Sequence, residues 1–109
     1  MTVIYKVLGQ LNPLATTLST LYTVPANTST VISTLCICNQ ANSTSSFRVA
    51  VRPAGAAIDP KHYIAYDTQV PSNDTIHLTI GASLGNTDVV SVYSSSTSLS
   101  FNLFGSEIM

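Results

Sequence analysis

The sequence predicts an all-β protein, an antiparallel β-sandwich of about eight strands, jelly-roll-like or Ig-like. Three observations carry this. Apolar residues come in short runs with a period near two. Turn residues interrupt the runs about every 8–12 positions. No stretch keeps the 3.6-residue period of an amphipathic helix, and β-branched residues abound.

The first run covers residues 3–8 and ends at Gly9, Asn12 and Pro13. A second strand at residues 21–24 leads into a turn at Pro25, Ala26 and Asn27. In residues 30–39, Val31, Ser33, Leu35 and Ile37 fall on one face, with Ile32, Thr34, Cys36 and Cys38 on the other. Both faces are largely apolar, which predicts a central strand covered on both sides. A polar loop follows. Phe47, Val49 and Val51 then alternate with Arg48, Ala50 and Arg52 until Pro53, which has no N–H to donate.

After a connection over residues 54–60, residues 61–67 read as an aromatic-rich strand, with Tyr63 and Ala65 opposite His62, Ile64 and Tyr66. Residues 70–74 make a turn. Ile76, Leu78 and Ile80 define the inward face of the next strand, and residues 81–87 a second loop. Residues 88–93 alternate Val90 and Val92 against Val89, Ser91 and Tyr93. The last strand, residues 99–103, follows a serine-rich hairpin loop, and Gly105, Ser106 and Glu107 close the chain. The expected core is Val31, Leu35, Ile37, Phe47, Val49, Val51, Ile76, Leu78, Ile80, Val90, Val92, Phe101 and Leu103. Residues 21–109 are expected to form the sandwich. Residues 1–20, with a Gly/Asn/Pro break, are expected to be an N-terminal strand or arm that contacts another subunit or a shell.

A length of 109 residues suits one domain. Charged residues make up 8% of the chain, against about 25% in an ordinary soluble domain. Four basic and five acidic residues give a net charge of -1. An electrostatic nucleic-acid binder needs a basic face to replace counterions, and a polybasic membrane binder needs the same, so neither partner is expected. An apolar fraction of 45% and a mean hydropathy of +0.32 argue against disorder. No apolar stretch approaches the ~20 residues of a membrane span. No signal-peptide core is expected after Lys6, because Gly9, Gln10, Asn12 and Pro13 interrupt the run.

No constellation of residues predicts catalysis, a cofactor or a metal. Cys36 and Cys38 would share a strand face roughly 6.5–7 Å apart at Cα, at or beyond the span of an unstrained disulfide. A zinc site needs four ligands, and no second cysteine pair exists. The two thiols are therefore expected to be small buried side chains. His62 and His77 lack a serine elbow or ligand cluster and are expected at a surface or interface. The glycines from Gly81 to Gly85 lack the lysine of a phosphate loop. Arg48 and Arg52 lie on one strand face. They would either fork onto a partner's oxygens or pair with Asp67, Asp74 or Asp88 within the chain.

Three stretches, residues 21–31 (LYTVPANTSTV), 47–55 (FRVAVRPAG) and 99–107 (LSFNLFGSE), together with HYIAYD at residues 62–67, resemble the small virion structural proteins of tailed bacteriophages, notably those infecting cyanobacteria. The resemblance covers roughly residues 21–108. It implies a particle component made in the host cytoplasm, a capsid decoration (cement) protein bound to the major capsid protein. A tail-fibre, neck or receptor- or carbohydrate-binding module is the alternative, with Tyr63, Tyr66 and Tyr93 as its aromatic candidates. The partner-contact candidates are Val3, Ile4, Val7, Leu8, Arg48, Arg52, Tyr63 and Tyr66. Surplus apolar strand faces predict a homo-oligomer, a trimer first and a dimer next. So few charges predict docking that depends weakly on salt.

Overall fold

The pairing of first strand with last, second with seventh, third with sixth and fourth with fifth defines the architecture. The computed structural model describes residues 1–109. Its strands are β1 (Val3–Leu11), β2 (Ser19–Thr23), β3 (Ser29–Asn39), β4 (Ser45–Arg52), β5 (Tyr63–Val70), β6 (Thr75–Leu84), β7 (Val89–Ser94) and β8 (Leu99–Ile108). They form two four-stranded sheets, ordered β1-β8-β3-β6 and β2-β7-β4-β5, with every pair antiparallel. One long hairpin has been rolled up so that successive rungs fall in alternate sheets. That is the jelly roll, and it resolves the two topologies left open by the sequence.

The two sheets meet through their inner faces. Phe47 of β4 and Phe101 of β8 pack edge to face across the layers, ring centres 6.2 Å apart. Leu35, Ile37, Val49, Val90, Val92 and Leu103 are buried around them as expected. Val51, Ile76, Leu78 and Ile80 are only partly buried against this core. β6, which carries the last three, is an edge strand with a neighbour on one side alone.

Val31 does not join the core; it is exposed, and Ile32 is buried in its place. The cause is a β-bulge. Ile32 pairs with Ala82 and Gly105, while Thr34 pairs with Thr79 and Phe104, so Ser33 is an extra residue against β8, is faced by two residues of β6, and marks where the alternation reverses. Burying Ile32 stabilises the fold by about 1.5–3 kcal/mol. Two glycines accommodate the irregularity. Gly81 takes φ +63 in β6, and a Cβ on Gly105 would collide with the Val31 carbonyl oxygen. β6 and β8 therefore run on through glycines that the sequence suggested as stops, to Leu84 and Ile108.

β3 is central in its sheet, yet only its inner face is covered within the chain. Cys36 and Cys38 lie on the outer face as half-buried free thiols rather than in the core. The expected N-terminal arm is an edge strand in the structure. β1 pairs with β8 from Val3↔Ile108 to Leu11↔Phe101, and a bulge between Val7 and Gly9 turns Leu8 into the core. Residue 20, the expected boundary, lies inside β2. The Gly/Asn/Pro break marks a strand end and its connection, not the edge of a domain. No helix is long and apolar enough to cross a membrane.

Candidate functional site

The first sheet contains two charged residues, Lys6 and Glu107, and they pair with each other at 3.1 Å. Glu107 sits buried on β8, where the Tyr22 hydroxyl donates to its other oxygen at 2.5 Å and Thr30 bonds that hydroxyl at 2.8 Å. The network ties β1, β3 and β8 of the first sheet to β2 of the second. The hydrogen bond from Tyr22 holds the Glu107 carboxyl below its ordinary range, against the opposing effect of burial, with help from Lys6. Burial, then the neighbouring Glu107, pushes the Tyr22 hydroxyl up to about 12.

With its two charged side chains paired to each other, the first sheet presents an apolar corner. Met1, Val3, Ile4, Tyr5, Val7, Val31 and Met109 are all exposed there, Tyr5 at 84%. Cross-strand register gathers them: Tyr5↔Ser106↔Val31 and Val7↔Phe104↔Thr34 run across β1, β8 and β3. Thr2 and Met109 exchange backbone hydrogen bonds and close the corner. A shallow groove runs along it between Tyr5, Val7, Val31 and Phe104, bordered by Lys6. Such a patch at an edge strand is the kind of surface proteins use to dock.

The outer face of the second sheet is built differently. A bulge in β5 lets Tyr66 and Asp67 lie opposite the single Arg48 of β4, since Phe47 pairs with Thr68 and Val49 with Ala65. Asp67 accommodates this at φ 51, a conformation that aspartate tolerates better than most residues. On its other side Arg48 pairs with Tyr93 of β7. The guanidinium thus lies 4.1 Å from the Tyr66 ring centre and 4.3 Å from that of Tyr93. Its Nε and Nη2 donate to the two Asp67 oxygens at 2.6 and 3.3 Å. The bond to Asp67 raises the Arg48 pKa above its already high ordinary value.

Residues 53–62 pack over this same sheet. Arg52 donates to the Ser91 hydroxyl at 3.2 Å and the Ala56 carbonyl at 3.0 Å, not to a carboxylate. Asp88 accepts from the Ala54 and Gly85 amides, each at 2.8 Å. His62 is buried rather than at the surface, because its Nδ1 accepts from the Asp59 amide in a tight capping turn. His77 is exposed across from Cys36 on the first sheet, and no group of three metal-ligating side chains gathers there or elsewhere.

The sequence-derived contact candidates therefore separate into two places. Val3, Ile4 and Val7 lie at the apolar corner, whereas Leu8 belongs to the core. Arg48, Tyr63 and Tyr66 form one cluster, and Arg52 anchors the neighbouring loop. Sequence reading missed Tyr5 and Val31 at the corner, whereas Phe104 falls outward by simple alternation after Phe101 and Leu103 and is one of the surplus apolar residues. Strict alternation of apolar residues could have flagged Tyr5, but the bulge that turns Val31 outward leaves no such signal. No protein-family model matches the chain, and no curated protein matches it.

Proposed function

We propose that the chain is a bacteriophage virion structural protein, a capsid decoration (cement) protein that binds and stabilises the major capsid shell. The observation that carries this reading is the apolar corner on a sheet whose two charges cancel. A cement protein packs in many copies at close spacing. A surface without net charge spares those copies mutual repulsion, and an apolar edge gives each a contact that desolvation drives. The resemblance in residues 21–108 to phage virion proteins points the same way. Jelly rolls also serve as lectin and enzyme domains, so the fold alone does not choose among these roles.

In this reading the corner and the β1 edge meet the capsid or a neighbouring copy, and the working form is a homo-oligomer, a trimer first and a dimer next. The test is reconstitution. Particles lacking the protein are mixed with purified chain, sedimented, and the bound copies counted. Hundreds of copies per particle, retained at high salt, are expected. A few tens or fewer, or location at the neck or tail, would replace this reading with the fibre or neck alternative. A monomer by light scattering at micromolar concentration removes the oligomer from it.

A further inference from the structure

We propose that the pocket between the 58–60 connection and β5 is a binding site for a neutral saccharide. Ile58, Asp59, Pro60, Tyr63 and Tyr66 line it. The Tyr63 and Tyr66 rings stand 5.0 Å apart at 86°, an L-shaped aromatic wall. Tyr66 is 58% exposed, unusually open for a ring held so firmly. Arg48 and Tyr93, which do not line the pocket, are what hold it, with Asp67 locking the guanidinium in place. A ligand stacking on this wall meets an already ordered surface and loses little entropy in fixing it.

Asp59 supplies the polar group. Its Oδ1 accepts from the Lys61 amide at 3.1 Å, and the hydrogen bond from its own amide to His62 fixes the turn. Asp59 is exposed, so Oδ2 keeps lone pairs open to a ligand. A carboxylate oxygen only accepts, so it suits a ligand that donates hydroxyl groups. A purely apolar ligand would strip water from that oxygen and return nothing.

The Arg48 guanidinium opposes the other natural occupant of an aromatic pocket, an organic cation. Asp67 is paired with Arg48 at 2.6 Å, and Arg48 already sits against Tyr66. A second positive charge on that ring would face the guanidinium across it. A pyranose meets all three conditions: apolar C–H faces for the rings, hydroxyls for Oδ2, and no charge. The pocket lies on the second sheet and the apolar corner on the first, so one molecule can dock and hold sugar at once. The inference stands on its own and does not rest on capsid docking.

The test is an amide-shift titration of isotope-labelled protein with cellobiose, lactose, mannobiose and diacetylchitobiose, and with choline as the cationic probe. Saturable shifts centred on residues 58–66 are expected from at least one disaccharide at millimolar concentration, and none from choline. Tyr63→Ala and Asp59→Asn should each weaken binding about tenfold, the scale of one lost stacking or hydrogen-bonding contact. Leu14→Ser, on a distant exposed position, should not. Asp59→Asn keeps an oxygen for the Lys61 amide, so it carries the test if Tyr63→Ala disturbs the fold. No saturable shift from any disaccharide, shifts that survive both substitutions, or saturation by choline alone overturns the proposal.

Discussion

The two outer faces of the sandwich come from the same chain and the same ladder geometry, yet they are opposite in character. The first sheet turns outward Tyr5, Val7, Val31 and Phe104 beside hydroxyl residues, and its one acid and one base neutralise each other. The second turns outward an arginine clamped between two tyrosines and forked onto an aspartate, roofed in part by residues 53–62. The difference shows two ways to treat a solvent-facing sheet. One is left apolar and uncommitted, which favours burial against something else. The other spends its few charges on local order, which makes a rigid surface with recognisable chemistry.

The largest effect should come from charging the first face. Tyr5→Glu combined with Val31→Glu is expected to weaken particle binding about hundredfold, because an unpaired buried charge costs about 3 kcal/mol or more. Thermal stability should barely move, since both positions are exposed. The same reversal on the second face, Arg48→Glu, should leave particle binding unchanged. Equal losses in the two sedimentation assays would erase the distinction between the faces.

Next in size is the network that holds the corner to the second sheet. Tyr22→Phe removes the hydroxyl between Thr30 and Glu107 and should lower stability by about 1–3 kcal/mol, read by denaturant unfolding. The pH dependence follows from the lowered Glu107 value. An unfolded glutamate titrates near about 4.3, and the folded one below it. Stability is therefore full above the unfolded value and is lost as pH falls through the folded one. Glu107→Gln should flatten that acid limb and lower stability at neutral pH. An unchanged limb would assign acid unfolding to other carboxylates.

Smaller still is Arg48→Met, which keeps the aliphatic stem but loses the aspartate fork and both ring contacts. A drop in thermal midpoint below that of Tyr22→Phe is expected, since the pair is partly solvated. The smallest response should be that of docking to salt. Raising ionic strength from about 0.1 to about 1 M shortens the screening length from about 10 to about 3 Å, but the two charged side chains of the sheet, Lys6 and Glu107, already pair with each other. Release of the protein by modest salt would show that ion pairs, not the apolar face, make the contact.

Much of the fold was legible. Eight strands fall close to the expected runs, and Leu35, Phe47, Val92 and Phe101 face inward, because burial on one side of a pleat imposes alternation. The misplacements trace to single residues. Ser33 reverses the phase of β3 and exchanges Ile32 for Val31. Gly81 and Gly105 resemble turn signals but lie inside long strands, Gly81 at a bulge of β6 and Gly105 beside bulges of β1 and β3. Residues 94–98 read as a polar loop, but the hydroxyls of Ser96 and Ser98 form a chain with Ser45 and Asn39 that no spacing reveals.

The candidate site was legible as residue types and not as a place. Arg48, Tyr63 and Tyr66 could be named from the sequence, but Asp59 and the Asp67 bulge that gives the pocket its shape could not be placed beside them. By itself the sequence determined the all-β class, the strand count and the shortage of charge, since local periodicity and composition act within a few residues. The tertiary structure alone decided the jelly-roll pairing, the two unlike faces and the location of the pocket. Those depend on contacts between residues as far apart as Lys6 and Glu107, and on bulges whose conformation is set by the neighbouring strands rather than by their own side chains.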